Sequence, residues 1–430
     1  MKLRTAFLVF VAIILFSGIM TAQMNTQEAN QSNTNGKIPL GFGATFIDGE
    51  TYYLINFAPE VAFGKLGFGL DLNLRYSTSG KLKSEYNKFE DYLRIIRYVR
   101  WAQKGDPFYV RVGQLDYSLL GHGFILYNYR NTASYDLRKT GMELDLNFDK
   151  FGFESVVSDF AHAGIFGARG YVKPLKFTSL SKVPVINNFE VGATFVSDLN
   201  DNANKTQIDS NNTGSFSVVG FDLGLPLLSY RVIKSTLYFD YAKIIHYGSG
   251  SAVGIDFRFA GLGLLTLNAK YERRFNGNQF VPSYFNALYE RDRYELIPSG
   301  GFKSKADSLR NVKSNQGNYG ELMISVLNTL NIIGAYQAPV GVKNAGMFHA
   351  ELNTGNALPS IVLEAGFDKR NIGRVFKLDD NSILYAEVGY KPVSFMVVSA
   401  LYQWTWTKDD NGAYKTQKRI EPKLSFVFNF

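Results

Sequence analysis

Arg94 and Arg100 fall on one side of an extended stretch at 89–102, with Tyr92 and Tyr98, because successive strand side chains point to opposite faces. Arg111 shares a face with Tyr109 and Gly113 in the next stretch, and Arg75 sits among the polar positions of the one before. Stretches adjacent in sequence tend to be adjacent in a sheet, so these arginines are expected on one wall. Acids hold polar positions elsewhere, among them Glu143, Asp145, Glu154, Glu190, Asp222, Asp240 and Glu272. A basic wall facing acidic ones would set a transverse field that orders water and sorts solutes by charge and dipole. The competing expectation is that these charges pair with one another and line a solvated wall. Arg97 is a misfit, since counting places it on the apolar side with Leu93, Ile95 and Val99.

Other chemistry is thin. Of the four histidines, His122 in Gly121-His122-Gly123, with Ser118 nearby, is the best hydrolase candidate, but no third orienting group accompanies it. No His/Cys/acid spacing suggests a metal site, no cofactor is implied, and an enzyme is not expected. The absence of cysteine removes disulfides and thiol chemistry.

Two connections stand out. Segment 118–138 is apolar, aromatic and hinged by glycine, unlike a solvated loop; folded inward, its Phe124, Tyr127, Tyr129 and Arg130 would narrow a lumen. Segment 275–315 interleaves Tyr284, Phe285 and Tyr289 with Arg291 and Arg293, a mix suited to sugars or a protein partner, or to a self-packed surface loop.

The elements that must position these residues alternate almost throughout. Leu66, Phe68, Leu70, Leu72 and Leu74 oppose Gly67, Gly69, Asp71, Asn73 and Arg75. Met142, Leu144 and Leu146 oppose Glu143 and Asp145; Val253, Ile255 and Phe257 oppose Gly254, Asp256 and Arg258. About twenty such stretches, with a range of sixteen to twenty, run from near 38–46 to 418–430. Every second connection is short, as at 64–65, 149–150 and 391–392; the long ones, 77–88, 118–138, 200–214, 275–315 and 369–381, fall on the other side. Segment 175–187 is a longer connection on the short side, expected to hold a brief helical turn.

Alternation fits both a soluble sandwich and a membrane barrel, and composition separates them. Aromatics are 15% of the chain, with 35 Phe and 26 Tyr, against 40 Gly and 12 Pro. Residues 1–22 read as a signal peptide, with basic Lys2 and Arg4 before an apolar run too short to span a bilayer. Residues 23–36 read as a disordered polar leader, and 37–430 as one domain. The net charge of +8 becomes +6 (8 − 2) without Lys2 and Arg4, and no dense basic patch points to nucleic acid.

The final stretch completes the pattern. Leu424, Phe426, Phe428 and Phe430 line one face of a strand ending on an aromatic carboxy-terminus. It resembles the terminal-strand signal of Gram-negative outer-membrane β-barrels, which the barrel assembly machinery reads. The resemblance implies an all-β, transmembrane antiparallel up-and-down barrel with both termini periplasmic, embedded among outer-membrane lipid and lipopolysaccharide. Apolar faces then meet acyl chains and charged faces a wet interior. The position of 118–138 resembles that of a general-porin constriction loop. The function so implied is passive diffusion of small hydrophilic solutes, with a homo-oligomer as an option by analogy; the alternative is a closed docking barrel whose loops bind partners. A hydrocarbon carrier finds no apolar lumen face in the alternation.

Overall fold

Backbone N–H and C=O groups facing hydrocarbon must be paired, so a membrane sheet has to close on itself. This one does. A computed structural model describes residues 35–429, other than 48–49, 84–85, 88, 133–137, 163, 200–214, 262, 297–301, 328, 356 and 409–412. The signal peptide, most of the leader and Phe430 lie outside the described residues.

The first half of the wall is built from β1 (Asn35–Ile47), β2 (Glu50–Phe57 and Glu60–Phe63), β3 (Leu66–Leu70 and Leu72–Ser77), β4 (Ile96–Trp101), β5 (Phe108–Gly113), β6 (Gly141–Asn147), β7 (Phe151–Val157), β8 (Ile165–Val172), β9 (Glu190–Asp198) and β10 (Phe216–Ser229). The second half is β11 (Ile233–Ile244), β12 (Ser249–Gly261), β13 (Leu265–Asn276), β14 (Asn315–Val326), β15 (Leu330–Pro339), β16 (Met347–Asn353), β17 (Ile361–Arg370), β18 (Ser382–Val393), β19 (Met396–Lys408) and β20 (Tyr414–Asn429). The sheet has 22 strand segments; β2 and β3 are each broken in two, so the chain crosses the wall twenty times (22 − 2). Each pass pairs antiparallel with its neighbours, and β20 returns to β1 with Asn429 opposite Asn35 and Leu424 opposite Leu40. The β2 break falls at Ala58-Pro59, where proline has no N–H to give the ladder.

Connections alternate as expected. One rim carries tight turns such as 64–65, 148–150 and 394–395, and the other carries 78–95, 114–140 and 277–314. Segment 173–189, on the tight-turn rim, folds into three short 3-10 turns: Pro174–Phe177, Ser179–Lys182 and Ile186–Asn188. Trp404 and Trp406 alternate outward near the long-loop end of β19, with ring centroids 6.2 Å apart.

The wall is inside-out relative to a soluble sandwich. Phe42, Phe166, Phe195, Phe221, Ile255 and Tyr271 are exposed on the outer face, whereas Glu143, Arg169, Asp222, Asp240, Glu272 and Arg274 are buried inside. Charges at that depth would be costly on a lipid face, about 2–4 kcal/mol for Lys or Arg at the midplane.

The arginine stretch differs from expectation. Residues 89–93 are a short helix, α1 (Phe89–Leu93), and β4 starts only at Ile96. Between β3 and β4 the register slips by one: Gly69 pairs with Tyr98 but Leu70 with Ile96. Arg97 is the extra residue of this bulge. A bulged residue can be re-aimed across the sheet, which is how a side chain counted onto the apolar side reaches Glu60.

Candidate functional site

Two long connections fill the middle of the barrel. Loop A (114–140) leaves β5, and loop B (277–314) leaves β13 from a distant part of the wall. In loop A, Ser118 and Tyr129 exchange backbone hydrogen bonds of 2.9 and 3.0 Å, which closes a hairpin. Gly121 and Gly123, at φ 56° and 88°, supply the left-handed conformations its tip needs. Loop B docks on that tip: Ser283 N donates to Phe124 O at 2.7 Å, and Tyr127 N donates to Phe285 O at 3.0 Å. The loops thus form one plug with a shared backbone ladder.

The plug is held on one side by apolar packing. Leu120, Phe124, Ile125 and Leu126 of loop A, with Tyr284 and Phe285 of loop B, share a buried cluster with wall residues of β7 to β12. These wall residues include Val156, Ile165, Val196, Val218, Ile244 and Ala252. The lumen therefore has an apolar arc, contrary to expectation. Gly220 lies on it against Ile125, whose Cδ1 is 2.5 Å from where a Cβ would stand.

Ion pairs hold the rest. Arg130 of loop A reaches Glu351 on β16 at 3.3 Å and Asp368 on β17 at 3.4 Å. Asp368 also binds His349 Nδ1 at 2.8 Å, and Asn128 lies 3.3 Å from that nitrogen. Tyr127 donates to Glu321 on β14. At the tip, His122 Nδ1 lies 2.9 Å from Asp240 while its ring stacks on Tyr238, 4.1 Å between centroids. Burial lowers the affinity of His122 for a proton, but Asp240 outweighs it and the imidazole titrates above its usual value.

A buried knot at the base of loop B joins both loops to the wall. It centres on α2 (Tyr289–Asp292). Glu290 accepts from Tyr129 of loop A and pairs with Lys139 at 2.6 Å and Arg293 at 3.2 Å. Arg293 also binds Asp198 on β9, which accepts from Tyr289 at 2.7 Å. Burial pushes the Glu290 carboxyl up, but Lys139 and Arg293 prevail and bring it to about 2. Lys305, donating to Tyr284 O at 2.8 Å and lying over Tyr284 and Tyr289, is brought down to about 7 by burial, with Arg370 adding to it.

Two cavities border the plug. One, of about 450 Å³, is edged by Tyr127, Asn128, Ser283, Tyr319, His349 and Asp368. The other, of about 250 Å³, lies between the loop A tip and β9 to β11, beside His122, Asp222 and Asp240.

The expected site residues divide. Phe124, Tyr127, Tyr129 and Arg130 meet in the plug. Arg100, Arg111 and Glu143 face one another in register across β4, β5 and β6. Arg100 donates to Ala102 O at 2.6 Å; Arg111 donates to Gln114 O at 2.9 Å, pairs with Asp116 at 3.2 Å and lies over Tyr98. Glu143 and Asp145 share Lys104, at 3.7 and 3.0 Å. Arg94 does not join them: it follows α1 and pairs with Asp91 at 3.0 Å. Arg75 is buried on β3, but Arg100 faces Gly67, eight residues further along (75 − 67), roughly 26 Å at the strand rise. The four arginines are thus not one cluster. Leu424 and Phe426 lie on β20 beside β1, the side chain of Phe428 is not among those described, and Phe430 lies outside the described residues.

Sequence reasoning missed three features. Loop B was not expected inside; its aromatic run gave the composition but not the direction of folding. Arg169, bridging Asp222 at 2.6 Å, Glu190 at 2.7 Å and Glu154 at 3.0 Å, was legible as an inward position of β8. His349 and Asp368 are register partners across the consecutive strands β16 and β17, a pairing that the register of their hairpin sets.

No family model matches the chain, and no curated protein matches it. Among solved structures it is similar to a mutant of the ferric enterobactin receptor (PfeA) of Pseudomonas aeruginosa, at 9% identity and TM-score 0.34, over 92% of this chain and 80% of that one. It is also similar to P. aeruginosa OccK11 (OpdR), at 10% identity and TM-score 0.33, over 96% and 98% of the two chains. P. aeruginosa OprD is similar at 9% identity and TM-score 0.33, over 94% and 98%. At these scores the reading of this chain rests on its own geometry.

Proposed function

We propose that this barrel sits in the outer membrane and passes small hydrophilic solutes by diffusion along a path set by the two-loop plug. The observation that carries the reading is the inner wall. Acidic and basic side chains such as Arg169, Asp222, Glu387 and Lys423 are held at depth behind an apolar outer belt, which suits a water-facing lumen. In this reading Arg130 and the carboxylates of Glu351 and Asp368 border the path where it passes the plug, and act as its charge filter with Tyr127 and Asn128. Arg100 and Arg111 brace the wall through Ala102, Gln114 and Asp116. Asn35 and Asn429, the first and last described residues, lie on the tight-turn rim, assigned here to the periplasm, where the β20 pattern would engage the assembly machinery. No catalytic step is assigned: His122 is engaged by Asp240 and Tyr238.

Liposome swelling tests this directly. Vesicles carrying the folded chain should swell in small neutral sugars and amino acids at rates that fall with solute size. No swelling above protein-free vesicles would contradict it. That outcome would favour the second reading, a barrel closed at rest that presents its long-loop rim to partners, for which the buried Glu290–Arg293–Asp198 knot is the specific support.

A further inference from the structure

Segment 173–189, on the tight-turn rim, is built unlike the other turns there. Its three 3-10 turns bury none of their residues. Phe177, Leu180, Val183 and Ile186 are exposed, Phe177 at 60%. Val185 stands at φ 70°, a costly conformation for a β-branched residue, and Ile186 N donates to Pro184 O at 2.9 Å across it. A solvated loop has no reason to hold four large apolar side chains outward on such a turn.

Two observations say what covers them. First, the apolar surface is continuous with the lipid-facing belt: exposed Val172 ends β8 beside it, and exposed Phe151 begins β7 opposite Val172. Second, the segment carries Lys173, Lys176 and Lys182 and no acid in 173–189; two acids at its edges meet two of them, Asp149 pairing with Lys176 and Glu190 lying 3.9 Å from Lys173. Lys150 joins them, with its ammonium 5.0 Å from the Phe177 ring centroid. Apolar side chains interleaved with lysines at the edge of a bilayer are the composition of an interfacial segment, whose affinity combines apolar burial with attraction to anionic headgroups.

We propose that 173–189 is an interfacial foot that lies in the headgroup layer of the leaflet at the tight-turn rim and binds anionic phospholipid. The foot needs the barrel to be in a bilayer but is independent of whether the lumen conducts. Phe177 and Leu180 enter the acyl boundary, and the lysines meet phosphate.

Because the chain has no cysteine, one engineered thiol reports one position. Leu180→Cys, and separately Val183→Cys, would carry a nitroxide in the full chain reconstituted into vesicles of phosphatidylcholine with or without phosphatidylglycerol. Phe221→Cys on the lipid belt and Lys313→Cys on the opposite rim are the references. The foot predicts oxygen-over-nickel accessibility at 180 and 183 well above the Lys313→Cys value and below the Phe221→Cys value. It also predicts that lipids retained by the detergent-extracted protein are enriched several-fold in phosphatidylglycerol, with the enrichment lost in a Lys173→Gln, Lys176→Gln, Lys182→Gln chain that still folds. Accessibility like that at 313, or equal retention of both lipids, would overturn the proposal. So would spin–spin broadening at 180, which would mark contact with a second copy of the chain.

Discussion

The inner surface of β7 to β12 holds the plug chiefly by apolar packing, with His122–Asp240 and Arg293–Asp198 as its ion pairs, whereas that of β14 to β17 holds it by ion pairs and hydrogen bonds. The first offers Val156, Ile165, Val196, Val218 and Ile244 to the aromatics of both loops. The second offers Glu321, Glu351, His349 and Asp368 to Tyr127, Asn128 and Arg130. Apolar contact is indifferent to salt and pH and roughly proportional to area, whereas buried ion pairs hold only while both partners are charged. One arc therefore acts as a fixed mount. The other is an adjustable face, and the larger cavity lies along it.

The comparison is broken most severely at the knot that serves both loops. Arg293→Met leaves Asp198 and Glu290 buried with fewer partners, a loss of about 3–5 kcal/mol. Both loops should then become protease-sensitive while the barrel stays heat-modifiable on gels. On the apolar mount, Phe285→Ala should cost about 3–5 kcal/mol by cavity formation and release the plug equally at low and high salt.

Acid acts on the knot in a defined window. A glutamate ordinarily titrating near 4.5 is held near 2 at Glu290, so its stabilisation is complete above 4.5 and is lost as pH falls towards 2. Loop proteolysis by an acid protease should rise across that window in the native chain and not in Glu290→Gln. A flat profile in both would remove Glu290 from the account.

On the adjustable face, Arg130→Gln should raise conductance by a few-fold and shift its cation preference, because Glu351 and Asp368 lose their guanidinium while the apolar mount persists. Proteolysis should not change. The smallest effect is expected at Arg310, exposed and 3.8 Å from Asp307, where Arg310→Ala should alter neither readout.

Most of the wall was legible in the sequence because a barrel with an apolar outer face and a charged inner one follows period two along most of its strands, and its turns alternate in length. The twenty passes lie at the top of the expected range of sixteen to twenty, and the brief helical turn expected within 175–187 is three 3-10 turns. The failures occur where another rule intervenes. Asp91 and Arg94 belong to a helical turn that alternation could not distinguish from strand, and Arg97 marked a bulge that shifts every residue before it by one. The apolar arc was concealed in runs such as Val156-Val157 and Val218-Val219, where both faces are greasy and counting gives no side. Loop A declared itself by being too apolar for solvent. Loop B, with similar aromatics but more charge, carried nothing local to say that Arg293 would find Asp198, 95 residues earlier.

The central claim is that a water-filled lumen is narrowed by loops A and B. The direct measurement is single-channel conductance of the full chain in planar bilayers, beside a chain in which 118–130 is replaced by a short Gly-Ser linker. The account predicts small, discrete steps for the first and several-fold larger ones for the second, at equal heat-modifiability. Equal conductance in the two, or none in either, would contradict it.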